Sequence, residues 1–143
     1  MGKSTDTPAG HAVAADPAAE PRGEMAIRTL AMPRDTNPSG DIFGGWLMSQ
    51  MDVAGGITAG ARAKGRVATV AVQGMVFHRP VHVGDVVCCY AEIQDVGRTS
   101  ITILVEAWVL RDRHAGDRFK VTEGVFTYVA LDADGTKRRL PPP

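Results

Sequence analysis

The stretch from Asn37 to Thr69 (NPSGDIFGGWLMSQMDVAGGITAGARAKGRVAT) constrains this chain more than any other, and from Gly44 or Gly45 to about Ala63 its pattern is helical. Leu47, Met51, Ala54 and Thr58 fall on one stripe at helical spacing, with Trp46 and Met48 beside it. Three interior glycines, Gly55, Gly56 and Gly60, each cost such a helix about 1 kcal/mol relative to Ala. A helix that weak must be held by tertiary packing. Its small residues admit a close neighbour, either a sheet curled around the helix or a second copy of it. From Ile42 to Ala61 the only charged residue is Asp52. A solvated helix face would carry several charges. A lone helical carboxylate is commonly a surface group, but this isolation favours a functional one.

The flanks sharpen the picture. The preceding run RDTNPSGDIFGG, residues 34–45, is dense in turn formers and anchored at its far end by Ile42 and Phe43, so it reads as a specific folded loop. Met25 to Met32 reads as a strand with Ile27 and Leu30 buried, ended by Pro33. After Lys64-Gly65-Arg66 the apolar period changes from helical to two. One strand is expected from Val67 to His78-Arg79-Pro80, then Val86 to Val96, Thr99 to Leu110 and Arg118 to Leu131. Short turns between consecutive strands predict an antiparallel meander. One helix against a long antiparallel sheet is an α+β fold.

Length and composition bound the rest. A chain of 143 residues suits one domain. Residues 1–23, rich in Ala, Pro and Gly, cannot bury enough surface to offset their ordering entropy and are expected to be a flexible tail; the folded domain is expected over 24–140. The formal net charge is zero, which gives no electrostatic footprint for nucleic acid. No apolar run reaches the ~20 residues of a membrane span, and the N-terminus lacks the apolar region of a signal peptide. The only cysteines, Cys88 and Cys89, are adjacent in mid-strand, one facing in and one out. A reduced, cytoplasmic compartment and inert thiols follow. Neither a metal-ligand cluster nor a dinucleotide fingerprint occurs, so no cofactor is implied.

The order of elements resembles the hotdog fold, in which a curved antiparallel sheet wraps one central helix. The runs RTLAMPRDTNPSGDIFGGWLMSQMDVAGG, GRVATVAV, FHRPVHVGDVVCCYA and GRTSI go further. In this order and spacing they resemble the acyl-CoA thioesterase (acyl-CoA hydrolase) family, and closely its bacterial YciA-type members. The resemblance implies hydrolysis of a fatty acyl-CoA to free acid and CoA. It also implies that Asn37 of the loop and Asp52 of the helix are the functional pair.

The residues can be weighed against that chemistry. Asp52 can serve as general base for water or attack the carbonyl itself to give an anhydride. The helix N-terminus is the simplest oxyanion site, because its first amides lack intrahelical partners and Gly44 and Gly45 put no Cβ in the way. The plainer alternative is that Gly44-Gly45 only makes a tight turn. Asn37 can bind the same carbonyl or the water; its competing role is an Asx turn before Pro38. For the CoA phosphates, Arg79 and the Arg98-Thr99-Ser100 turn sit where related hotdog thioesterases hold the nucleotide. Lys120 and the Lys137-Arg138-Arg139 cluster are weaker candidates, and each of these cations competes with a plain solvated role. Thr69 is an ordinary strand threonine that could line the acyl site, and His78 reads as a packed strand residue.

Spacing adds one inference. Gly44 and Asp52 are eight residues apart on one helix, which is ~12 Å along its axis. One thioester cannot touch both. The site is therefore expected to be shared between two chains of a two-fold homodimer, consistent with the resemblance, which also implies larger assemblies up to a hexamer. Two rivals stand beside this reading. A hotdog hydroxyacyl-thioester dehydratase would need a catalytic His, and no His occurs between His11 and His78. A non-catalytic acyl-CoA-binding module acting as a regulator would carry an added DNA-binding segment, and the N-terminal stretch is neither basic nor helical in pattern.

Overall fold

The sheet is built from five strands, and its edges are set by the two strands that flank the helix in sequence. In the computed structural model, which describes residues 20–112 and 116–143, β1 (Glu24–Leu30) is followed by a 3₁₀ turn at Pro33–Asp35 and by α1 (Gly44–Ala63). Then come β2 (Val67–Gln73), β3 (Val86–Val96), β4 (Ser100–Asp112) and β5 (Asp117–Ala130). The sheet order is β1-β3-β4-β5-β2, every pair antiparallel. Only β3, β4 and β5 form the expected meander. The strand after the helix lies instead at the far edge beside β5, because residues 74–85 carry the chain back across to β3.

The core lies between the helix and one face of this sheet. Ile101, Ile103, Val105, Ala107 and Val109 alternate along β4 toward it and meet Leu47, Met51, Ala54, Ala59 and Ala63 of α1. The helix stripe is close to the expected one, with Thr58 only half-buried. Trp46 packs against the core, while Met48 is exposed. Cys89 faces the core and Cys88 lies opposite Trp108 on the other face, as the alternation required; both are buried free thiols.

Two local expectations need correction. Leu30 is 44 % exposed and Ala31 is buried in its place. A register shift between Met25 and Ile27 sets both Ala26 and Ile27 against the core, which fixes the phase of the remaining strand residues. The strand expected to run through to Pro80 ends at Gln73. Gly74 comes next with a φ of 97°, a conformation open to glycine, and the chain leaves the ladder there.

The expected flexible tail lies for residues 1–19 outside the described residues. Its last residues meet the sheet: the Arg22 N–H donates to Glu106 Oε1 at 3.1 Å and its guanidinium to Glu92 at 2.7 Å. The far end of the chain closes the helix. Lys64 caps α1 in the left-handed conformation, and the Arg138 side chain donates to the carbonyls of Ala63 (2.9 Å) and Leu131 (3.0 Å). Among the described residues no helix is long and apolar enough to cross a membrane.

Candidate active site

Asp52 stands in mid-helix, half-buried, against two donors from the sheet. Thr69 on β2 and Tyr128 on β5 are direct partners in the antiparallel ladder, so their side chains leave the same face side by side. Thr69 Oγ1 donates to Asp52 Oδ1 at 2.7 Å, and the Tyr128 hydroxyl lies 3.0 Å from both Oδ1 and the Asp52 carbonyl. Burial first, and then the adjacent Asp52 carboxylate, push the Tyr128 phenol well above its ordinary pKa, so it remains a proton donor. One carboxylate oxygen is thus fixed from two sides. Among the described residues Oδ2 accepts no hydrogen bond.

Gly55 makes this arrangement possible. A Cβ there would overlap the Tyr128 hydroxyl and stand 2.9 Å from its ring carbon Cζ. The helix glycine therefore admits a sheet side chain. Sequence reasoning reaches Thr69 only as a marginal candidate and misses Tyr128. The signal for Tyr128 is present in the strand alternation Phe126, Tyr128, Ala130, but nothing local links it to Asp52.

The second cluster lies at the start of the helix. Asn37 does form an Asx turn: its Oδ1 accepts the N–H groups of Ser39 (2.9 Å) and Asp41 (3.1 Å). Its amide Nδ2 donates to no acceptor among the described residues. The Asx turn and a ligand role are therefore compatible. Phe43 occupies the N-cap position and offers no side-chain hydrogen bond, which leaves the first amides of α1 uncapped. A Cβ on Gly45 would meet nothing within 4 Å, and one on Gly44 would reach only the Phe77 ring, at 3.7 Å. Beside this uncapped end is a pocket of about 240 Å³ lined by Ile42, Phe43, Gly44, Leu47 and residues 77–81, Arg79 among them. His78, expected as a packed strand residue, is exposed on that wall.

The remaining candidates separate. Arg98 and Thr99 lie in the β3–β4 turn and Ser100 opens β4, at the other end of the molecule, where Arg98 O accepts the Leu140 N–H at 2.9 Å near the helix C-terminus. Lys120 on β5 is engaged by Glu123 at 2.6 Å and Glu106 at 3.8 Å. Arg138, from the C-terminal cluster, caps the helix instead. Within one chain, then, Gly44 and Arg79 share one pocket, Asn37 lies in the loop that leads into the helix, and Asp52 does not line that pocket.

A helix that holds one positioned carboxylate at its middle and open amides at its start, inside a wrapped antiparallel sheet, can polarise a carbonyl and activate water. Comparison with known proteins agrees with that chemistry. The family model described as "Thioesterase superfamily" matches residues 39–115. An acyl-CoA thioester hydrolase, YciA, of Salmonella typhimurium is 59% identical over 123 residues, covering 85% of this chain and 92% of the relative. A hexameric thioesterase from Yersinia pestis superposes with a TM-score of 0.81 at 58% identity, covering 87% of this chain and 100% of that one. A hexameric hotdog fold thioesterase of Campylobacter jejuni gives 0.79 at 41% identity, covering 83% and 91%. The chain belongs to the thioesterase superfamily, with the hotdog fold. Within that superfamily its likeness is to the acyl-CoA thioester hydrolases.

Proposed function

We propose that this protein hydrolyses fatty acyl-CoA thioesters to free fatty acid and CoA at sites shared between two copies of the chain. The observation that carries the reading is the division of labour along α1: an uncapped N-terminus beside a pocket, and a carboxylate with one oxygen fixed by Thr69 and Tyr128 some two turns further on. Two antiparallel copies of the helix would bring the N-terminus of one toward Asp52 of the other. The thioester oxygen would be met by the amides near Gly44 and Gly45, and by Asn37 Nδ2, from one chain. Oδ2 of the partner chain's equivalent of Asp52 would take the proton from water as it attacks the carbonyl carbon. Collapse of the tetrahedral intermediate breaks the C–S bond, and the proton held by that carboxylate passes to the departing sulfur, so that CoA leaves as thiol. Attack by the carboxylate itself would use the same free oxygen.

Arg79, on the pocket wall, is the cation we assign to the CoA phosphates. The Arg98-Thr99-Ser100 turn, at the opposite end of each helix, would approach the pocket from the partner. Lys120, already paired with two carboxylates, contributes less. The hexameric relatives support a homo-oligomer assembled from such dimers. Two buried free thiols support a cytoplasmic setting. The family match leaves neither the dehydratase nor the non-catalytic binding reading favoured.

The test is thiol release from palmitoyl-CoA by wild type and Asp52→Asn. The substitution keeps an acceptor for Thr69 and Tyr128, so the fold should persist while kcat falls by about 10²–10⁴-fold, the span of general-base contributions. Full turnover by Asp52→Asn would sink the assignment.

A further inference from the structure

The pocket wall at residues 77–81 is held at its edges by backbone contacts. The His78 N–H donates to Val121 O at 2.9 Å, and the Ile42 N–H donates to Val81 O at 3.1 Å. Its centre is held differently. Asp85, 2 % exposed, accepts Nε and Nη2 of Arg111 at 3.1 and 3.0 Å and the His82 N–H at 2.8 Å. The same Nη2 also donates to Pro80 O at 3.0 Å. Arg111 thus bridges a buried carboxylate on one side of the loop and a wall carbonyl on the other.

A second link runs through Phe119. The guanidinium carbon of Arg111 lies 4.9 Å from that ring's centroid, and that of Arg79 lies 3.6 Å from it. Two cations over one buried ring repel unless one is compensated. Asp85 compensates Arg111. Among the described residues Arg79 has no carboxylate partner and makes only the ring contact. A buried ion pair is weak grounds for stability, since apolar residues of like volume often serve as well; in some proteins such pairs instead fix one arrangement of nearby groups.

We propose that the Asp85–Arg111 pair positions Arg79 for the phosphates of the CoA moiety, holding Pro80 by its carbonyl and Arg79 by the shared Phe119 ring. Asp85 and Arg111 are positioning residues and do not touch substrate. The inference rests on the assignment of Arg79 to the phosphates.

The experiment compares two substrates, an acyl-CoA and the same acyl thioester of pantetheine, which lacks the nucleotide and its phosphates. The readout is the ratio of kcat/KM for the first to kcat/KM for the second. Arg111→Lys keeps the charge but cannot fork between Asp85 and Pro80. Asp85→Asn keeps the shape but removes the compensating charge. Both are expected to lower the ratio about tenfold, the scale of one charge-assisted contact, as is Arg79→Ala. The double variant Arg79→Ala/Arg111→Lys should show no further loss in the ratio, because Arg111 acts through Arg79. A purely structural pair would depress both substrates alike and leave the ratio at its wild-type value, which overturns the inference. If Arg79→Ala alone leaves the ratio unchanged, the phosphate assignment fails and takes the inference with it. If Arg79→Ala lowers the ratio while Arg111→Lys does not, the inference fails and the assignment stands.

Discussion

Gly55 and Tyr128 compete for one space: a Cβ at residue 55 would overlap the phenol oxygen that donates to Asp52. The helix glycine and the strand tyrosine are therefore one device. In Gly55→Ala the ring must retreat, breaking the bond to Asp52 and overpacking the core. A loss of about 1–3 kcal/mol is expected from the overpacking, together with a fall in kcat. Gly56→Ala, whose Cβ would stand 3.9 Å from the same ring, is expected to leave the Tyr128 contact in place. Thermal denaturation beside thiol-release assays separates the two variants.

A site shared between two chains, as proposed, makes a prediction that no single-chain site makes. Asn37→Ala and Asp52→Asn should each be inactive alone. Mixed by co-expression, half the dimers are heterodimers, and each contains one intact site and one doubly defective one. Activity should return to about a quarter of wild type for a two-fold dimer with random pairing. If mixing restores nothing, both functions lie within one chain.

Arg138 joins the end of the chain to the end of the helix through Ala63 O and Leu131 O. Its loss leaves the helix-terminal carbonyl of Ala63 without a charged donor. Arg138→Ala should lower stability by about 1–3 kcal/mol while leaving KM for acyl-CoA near wild type. A raised KM would return this arginine to the group of phosphate contacts.

The buried thiol of Cys89 gives a pH signature. Burial first, and then its neighbour Cys88, push it up to about 12 from the usual 9.0. The folded state therefore binds the proton more tightly than the unfolded one. The stability so gained is fully present below pH 9 and is lost as pH rises from 9 toward 12, at about 1.4 kcal/mol per pH unit. Tyr128, raised in the same direction, adds its own loss only above its ordinary range near pH 10. Denaturant midpoints measured between pH 9 and 10 should fall for wild type and stay flatter for Cys89→Ala. Equal slopes would show that the thiol is not the titrating group.

Much of this protein was legible in the chain itself. Period and glycine content located α1 to within a residue or so at each end, and the same glycines required a close neighbour, which the wrapping sheet supplies. The isolation of Asp52 among apolar and small residues marked it as a candidate functional group, and axial rise alone separated it from Gly44. Those properties depend on neighbours along the backbone, where spacing is fixed by helix geometry. Only the tertiary structure decided which strand lies beside β5, that Thr69 and Tyr128 share one carboxylate oxygen, and that Arg79 and Arg111 meet over Phe119. Asp52 and Tyr128 are 76 positions apart in sequence. No local period links them; their contact arises from strand register, a crossover and the absence of one Cβ at Gly55.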